Sequence, residues 1–376
     1  MRYRLLKHSR CGANSLAGPI PEGAVRSMDV YFQSLGSYVP GTVTTEWAVR
    51  NGLYDEEERA AHQLVSAAVG GDTPAPEMAL YAAEDAVKRC GRDGGDLDAL
   101  FYLATWHQGP EGWLPHAHLQ RQLVGGEVPS TEIRQGCNGM FAGLRLATAI
   151  LRSGRAPGAA LLVAADNYGT PLVDRWRMGR GYIAGDAASA VLLGTEPGFA
   201  RLSSVCSVTV PEAEGAHRGD EPLFPPGITV GEGVDFATRA VAFATAARTR
   251  PDTALAQMRV QRQLRRVAED AVAEAGIGLG EVSRVAFMNY SREIVQQVCM
   301  DTLDLPMSRS VWDYGSTIGH CGASDQVLAL DHLLRTGALR PGDHVLMLGS
   351  GPGVMLAAAV VEILEIPAWA TAGERP

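Results

Sequence analysis

Beyond Asp29, stretches with apolar residues three and four positions apart alternate with short runs that are apolar throughout. Glu56 to Val69 and Pro76 to Cys90 carry the first pattern and predict helices. Leu100 to Ala104 and Ala160 to Ala165 carry the second, the pattern of strands covered on both faces. DVYFQSLGSYVP, beginning at Asp29, reads as a strand running into a turn, whereas residues 1–28 show no periodicity and read as a leader. The last apolar tract, His344 to Ala368, is cut by Gly349, Gly351, Pro352, Gly353 and Pro367, so it predicts strands joined by a tight turn. Helical and strand patterns in alternation predict an α/β layered fold.

The chain also repeats itself. CNGMFAGLRLATAILRSGRAPGAALLVAA begins at Cys137, and HCGASDQVLALDHLLRTGALRPGDHVLMLG begins at His320. In each, a small-residue turn opens an amphipathic helix that closes on Leu-Arg-Ser/Thr-Gly, followed by Pro-Gly and an apolar strand. Cys137 precedes Leu151, and His320 precedes Leu334, by the same interval, which predicts two duplicated halves, 29–199 and 200–376. Packed about a pseudo-twofold axis, the two helix starts bring a sulfur and an imidazole together.

That pair has a chemistry. Cys137 sits between glycines ahead of a helix starting near Met140, where free N–H groups and the positive end of the helix dipole favour a thiolate. Its sulfur can attack a thioester carbonyl while its own N–H serves as one arm of an oxyanion hole. His320 supplies a general base or acid. Asp325, five residues on, either fixes the imidazole tautomer or simply complements the dipole of its helix. Gly349-Ser-Gly-Pro-Gly353 is followed by a Val/Ile/Ala-rich strand and not by a helix, so it reads as a hairpin and not a dinucleotide loop. A second oxyanion N–H then comes from Gly351 or Gly353, since Pro352 has none. His217, in a Gly/Pro-rich loop, is a secondary candidate. His107, His116 and His118 lack a Cys or carboxylate at ligand spacing and read as exposed loop histidines, with no metal site expected.

Composition narrows the class. The 376 residues carry 33 basic and 42 acidic side chains, a net charge of -9, which argues against nucleic-acid or anionic-membrane binding. Met1 to Pro21 lacks the apolar core of roughly 7 to 15 residues that a secretory signal needs, and no tract offers the roughly 20 uninterrupted apolar residues of a membrane helix. A cytoplasmic protein is expected. Six scattered cysteines without a CxxC pair indicate neither a disulfide framework nor a zinc knuckle. Arg239, Arg248 and Arg250 share a helical window that forms either a docking face for an acidic partner or a solvated surface.

Taken together, the Cys137 segment, Gly185-Asp-Ala-Ala-Ser-Ala-Val-Leu-Leu193 and the C-terminal GSGPGV turn resemble the ketoacyl-ACP synthase III group of thiolase-fold condensing enzymes. The resemblance runs from about Asp29 to Ile366. It implies a five-layer αβαβα fold of two duplicated halves, a homodimer, and acyl thioesters of acyl carrier protein or coenzyme A as substrates, with no bound cofactor. The family's Cys-His-Asn set is altered here: Asn289 stands where the family has His, and His320 where it has Asn. Trp47, in Thr45-Glu-Trp-Ala-Val-Arg-Asn-Gly52, is similar to the family tryptophan that stacks on coenzyme A, or is a packed aromatic beside a turn. A subgroup from antibiotic (polyketide) gene clusters is more similar still, with a nucleophile followed by HxxxxD, the spacing of His320 and Asp325. That likeness implies a Cys137, His320, Asp325 triad and acyl transfer to a hydroxyl, an amine or a second carrier. Decarboxylative condensation, with Asn289 and His320 as an exchanged donor pair, is the alternative, and a non-catalytic ketosynthase partner is a third reading.

Overall fold

The computed structural model describes residues 29–371 except 93, 107, 155 and 156, so the leader and His107 lie outside the described residues. Among the described residues, eleven strands are formed: β1 (Tyr31–Tyr38), β2 (Thr42–Thr44), β3 (Ser66–Ala68), β4 (Ala99–Leu103), β5 (Ser130–Ile133), β6 (Ala159–Asp166), β7 (Ala187–Gly194), β8 (Ala200–Thr209), β9 (Val282–Ala286), β10 (His344–Gly351) and β11 (Met355–Ile363). Five long helices pack on them: α1 (Ala75–Cys90), α2 (Gly139–Ser153), α3 (Phe236–Ala247), α4 (Pro251–Glu274) and α5 (Asp325–Arg335).

Nine strands form one mixed sheet in the order β5-β4-β6-β7-β1-β8-β11-β10-β9. Its two leaves meet at a narrow seam, where β1 pairs with β8 only at Tyr31 with Arg201 and Phe32 with Ala200. The leaves bury both faces, which is why β6 and β7 are apolar at nearly every position. Alternation sorts their side chains: Ala160, Leu162 and Ala164 of β6 face the middle of the molecule, while Leu161, Val163 and Ala165 face α1. On the other leaf, Val345 and Met347 of β10 face the middle, and Leu346 and Leu348 face α4.

The middle layer is α2 and α5. Met140, Phe141, Leu144, Ala147 and Leu151 recur at helical spacing on α2, and Val327, Leu330, Leu333 and Leu334 do so on α5. Each buried leucine contributes roughly 1.5–3 kcal/mol of hydrophobic stabilisation. The layers therefore run α1, sheet, α2 with α5, sheet, α4, the αβαβα order. Both central helices point their N-termini at one place.

Two expectations need correction. The helical window Glu56 to Val69 is a short helix, Glu56–His62, followed by β3, because Ser66–Ala68 finds a partner in Thr42–Thr44. Helix pattern gives way there to strand pairing. The two helices end within one residue of the repeat's register, since Ser153 matches Thr336 and α5 ends at Arg335, but α5 starts three residues later in its half than α2 does, so His320 lies before its 3-10 turn whereas Cys137 sits within its own. Among the described residues, no helix is long and apolar enough to cross a membrane.

Candidate active site

Strand β5 ends at Ile133, and a single 3-10 turn, Gly136–Asn138, leads into α2. Gly136 has φ +56, and the ring of Pro352 occupies the space where a side chain would begin, so only glycine lets the β10–β11 hairpin close on this turn. Asn138 Nδ2 donates to the Met355 carbonyl at 2.6 Å and staples turn to hairpin. Cys137 is left half-buried with Sγ 2.9 Å from His320 Nε2.

His320 is positioned by the Ile183–Gly185 segment. Its N–H donates to the Ile183 carbonyl at 2.8 Å, and its carbonyl accepts from Gly185 N–H at 2.9 Å. Nδ1–H donates to Asp325 Oδ2 at 2.5 Å, which leaves Nε2 to accept a proton from Cys137. The five-residue offset works because the chain folds back through the Gly322–Ser324 turn, placing Asp325 at the first residue of α5. Burial alone would lower the His320 pKa, but the Cys137 sulfur and the Asp325 carboxylate outweigh it and hold the imidazole well above its ordinary value. Tyr182 and Tyr290 stack on each other at 4.9 Å, and each meets the imidazole edge-on with ring centroids 5.1 Å away.

The Cys137 sulfur and His320 open into a cavity of about 340 Å³. Its walls are mostly apolar, with Met178, Phe236, Val260, Leu264 and Phe287 among them. No carboxylate lines it, and Arg180 is its one lining arginine or lysine among the described residues. Such a space holds an apolar acyl group or the arm that delivers one. Below it, Asp166 accepts from Thr105 N–H at 2.8 Å and Trp106 N–H at 2.9 Å, and burial pushes its carboxyl up to about 7.

The chain around these contacts matches a known family. The model of the 3-oxoacyl-[acyl-carrier-protein] synthase III matches residues 131–209, and that of the synthase III C-terminal region matches residues 272–363. A solved structure of the acyltransferase ChlB3 is 55% identical, covers 91% of this chain and 99% of that one, and superposes with a TM-score of 0.87. The chain belongs to the ketoacyl-ACP synthase III-like family. Beta-ketoacyl-[acyl-carrier-protein] synthase III 3 of Streptomyces coelicolor is 28% identical over 342 residues, 87% of this chain and 95% of that protein. The priming beta-ketosynthase of the R1128 polyketide biosynthetic pathway, at 20% identity, covers 90% of this chain and 97% of its own and shares the thiolase-like fold with a TM-score of 0.71.

Within this synthase III-like frame the sequence candidates divide. Cys137, His320 and Asp325 form one hydrogen-bonded chain. Gly351 and His217 line the cavity. Gly353 lies in the hairpin turn between β10 and β11 with φ +81 and does not line the cavity. Trp47 is 45% exposed on the helix Thr45–Arg50 and is likewise absent from the lining. Asn289 does not present its amide to the cavity: Nδ2 donates to the Gly319 carbonyl at 2.8 Å and to Asp325 Oδ1 at 3.0 Å. His116 and His118 are part-buried on the short helix Pro115–Leu119 and not exposed on a loop, with His118 Nε2 3.1 Å from Glu77. Arg239 is paired with Glu221 through two short hydrogen bonds. The tyrosines, Thr105 and Asp166 went unread in the sequence, because isolated residues brought together from two halves leave no spacing to find. Tyr182 and Tyr290 do adjoin segments already marked, Gly185–Leu193 and Asn289.

Proposed function

We propose that the protein is an acyltransferase that moves an acyl group from a carrier-protein or coenzyme A thioester, through an acyl-Cys137 intermediate, to a hydroxyl, an amine or a second carrier. The observation that carries this reading is the use of the Asn289 amide. Decarboxylation of a malonyl unit calls for two neutral donors on one carbonyl oxygen. Both Asn289 Nδ2 hydrogens have partners inside the protein, and His320 Nδ1 is committed to Asp325. What remains is one imidazole nitrogen facing one sulfur, the arrangement of a base with its nucleophile. Likeness to an acyltransferase at 55% identity supports the same reading.

In the first half-reaction the Cys137 thiol passes its proton to His320 Nε2, and the sulfur attacks the thioester carbonyl carbon. The Cys137 N–H, with the Gly351 N–H as a second arm, takes the charge that develops on oxygen. The carbon–sulfur bond to the donor breaks, and the departing sulfur collects the proton from His320. In the second half the acceptor gives its proton to Nε2 and attacks the acyl carbon, and the Cys137 sulfur leaves and regains a proton. Asp325 stabilises the imidazolium in both halves. The working form in this reading is a cytoplasmic homodimer served by an acyl carrier protein or coenzyme A.

Intact-protein mass spectrometry with a panel of acyl thioesters tests it, with Cys137→Ala as control. The expected result is an adduct that requires Cys137 and is discharged by a hydroxyl, amine or carrier acceptor without loss of carbon dioxide. An adduct discharged only by malonyl-carrier with decarboxylation makes the protein a condensing enzyme. Absence of any adduct makes it a non-catalytic partner.

A further inference from the structure

Asp325 has no exposed surface, and its carboxylate is held by four donors. Oδ2 accepts from His320 Nδ1 at 2.5 Å and from the Asn289 backbone N–H at 3.0 Å. Oδ1 accepts from the Cys321 backbone N–H at 2.7 Å and from Asn289 Nδ2 at 3.0 Å. A carboxylate offers about four lone-pair sites, so every one is filled. Asn289 fills two of the four, one through its backbone N–H and one through its amide, and among the described residues it is the one side chain besides His320 that donates to Asp325. It comes from the loop after β9, a different element from α5, so it fixes the carboxylate from outside the helix that bears it.

The amide is itself placed with little freedom. Its remaining Nδ2 hydrogen goes to the Gly319 carbonyl, next in the chain to His320. Its oxygen packs against Gly315, where an added Cβ would overlap it. One side chain therefore spans the backbone just before the imidazole and the carboxylate that orients it.

We infer that Asn289 is a positioning residue for the base: by filling Oδ1 it keeps the Asp325 carboxylate from rotating, so that Oδ2 stays aimed at His320 Nδ1. This rests on the transfer reading for its catalytic consequence, but not for its geometry. A carboxylate that loses one of its donors turns more freely and holds its remaining partner less well. An acid in place of the amide adds a like charge 3.0 Å away, and the two carboxyls then share a proton.

Two variants and two readouts test the inference. Asn289→Asp changes the amide chemistry. Gly315→Ala leaves it intact but forces it aside, at a backbone position that is not left-handed. The first readout is the rate of Cys137 alkylation by iodoacetamide across pH, which needs no acyl substrate. The second is the pH profile of acyl transfer. In both variants, alkylation at neutral pH slows by about tenfold, transfer kcat falls by about tenfold to a hundredfold with KM for the donor unchanged, and the acid limb moves to lower pH, because a displaced carboxylate raises the imidazole less. A purely structural role would lower the amount of folded enzyme and leave the profile of the folded fraction in place. Wild-type alkylation and transfer profiles in Gly315→Ala overturn the inference, whether or not Asn289→Asp folds. If the wild type proves to condense malonyl units, the transfer reading fails, while the alkylation profiles still decide the role of Asn289.

Discussion

The turn that carries Cys137 and the turn that carries His320 open the two central helices, yet they are held in opposite ways. Cys137 is half-buried, and its sulfur has one polar partner, His320 Nε2. Its turn is shaped from outside, by the Pro352 ring over Gly136 and by Asn138 bound to the Met355 carbonyl. His320 is buried, tied through its backbone to Ile183 and Gly185, braced edge-on by two tyrosines, and linked to a carboxylate with four donors. A nucleophile has to swing toward a carbonyl and then carry the acyl group. A base serves two half-reactions from one position and works best when it cannot move. The duplicated fold supplies two like helix starts, and the later start of α5 leaves room for the extra restraints on His320.

Removing the restraint on the imidazole is the strongest way to break this contrast. In Asp325→Asn, one amide orientation opposes Nδ2–H to the Asn289 N–H and to His320, and the other opposes it to the Cys321 N–H and the Asn289 amide. The imidazole then loses its tautomer, and transfer falls by about ten-thousand-fold, as it does when a triad carboxylate becomes an amide. His320→Ala gives a loss of similar size in discharge of a preformed acyl-Cys137, while some acylation persists. Single-turnover kinetics separates the halves, and an Asp325→Asn variant within tenfold of wild type would falsify the triad.

The next effect is on stability, behind the His320 turn. A Cβ at Gly322 would lie 2.5 Å from Asp166 Oδ2, so this carboxyl packs against the turn itself. Burial, opposed in part by the N–H groups of Trp106 and Thr105, raises its pKa to about 7 in the fold, against 3.8 ordinarily. Because the folded value is raised, its stabilising contribution is fully present below about pH 4 and is lost as pH rises through about 7. The difference is on the order of 4 kcal/mol. Asp166→Asn keeps the acceptor for both N–H groups and removes the charge. Thermal melts from pH 4 to 8 should flatten in the variant, and an unchanged slope would mean that the carboxyl is neutralised by a partner.

Much of this pair of turns was legible before any coordinates. The shared Leu-Arg-Ser/Thr-Gly helix ends betray the duplication, and fixed intervals back from them point at Cys137 and His320. Runs that are apolar throughout, cut by Gly and Pro, locate the β10–β11 hairpin and the central strands. What pattern does not carry is the exact helix start, because a 3-10 turn and its preceding loop have no period; hence the three-residue slip in α5. Asn289 shows the deeper limit. Its position resembles that of a substrate donor, but where two amide hydrogens point depends on Gly319 and Asp325, distant in sequence and joined only by packing.

On the Cys137 side, Gly136→Ala sharpens the contrast from the other direction. It places a side chain at φ +56, at roughly 1–2 kcal/mol, and drives it into the Pro352 ring. Overpacking adds about 1–3 kcal/mol unless the hairpin retreats. A retreating hairpin takes Gly351 with it, so acylation slows more than iodoacetamide alkylation does. Equal slowing of the two would show that the turn itself, and not the hairpin, was displaced.

The smallest effect concerns His217, which lines the cavity opposite these turns on the short helix Gly215–Arg218. Its Nδ1 is buried without a partner among the described residues, and its ring meets Phe236 edge-on. Burial first, and then the Arg239 charge, lower its pKa. A histidine lowered in the fold stabilises above the unfolded value near 6.5, and that stability is lost as pH falls below it, because the unfolded chain binds the proton that the fold refuses. Gly215–Arg218 should therefore loosen below about pH 6.5, which hydrogen exchange across 214–219 would register, and His217→Phe should abolish the dependence. If the imidazole also binds substrate, the same change raises KM for the donor several-fold, about 1 kcal/mol for one hydrogen bond, with kcat preserved. A fall in kcat at constant KM would instead place His217 in the chemistry, and the cavity would then hold a second proton carrier that neither turn accounts for.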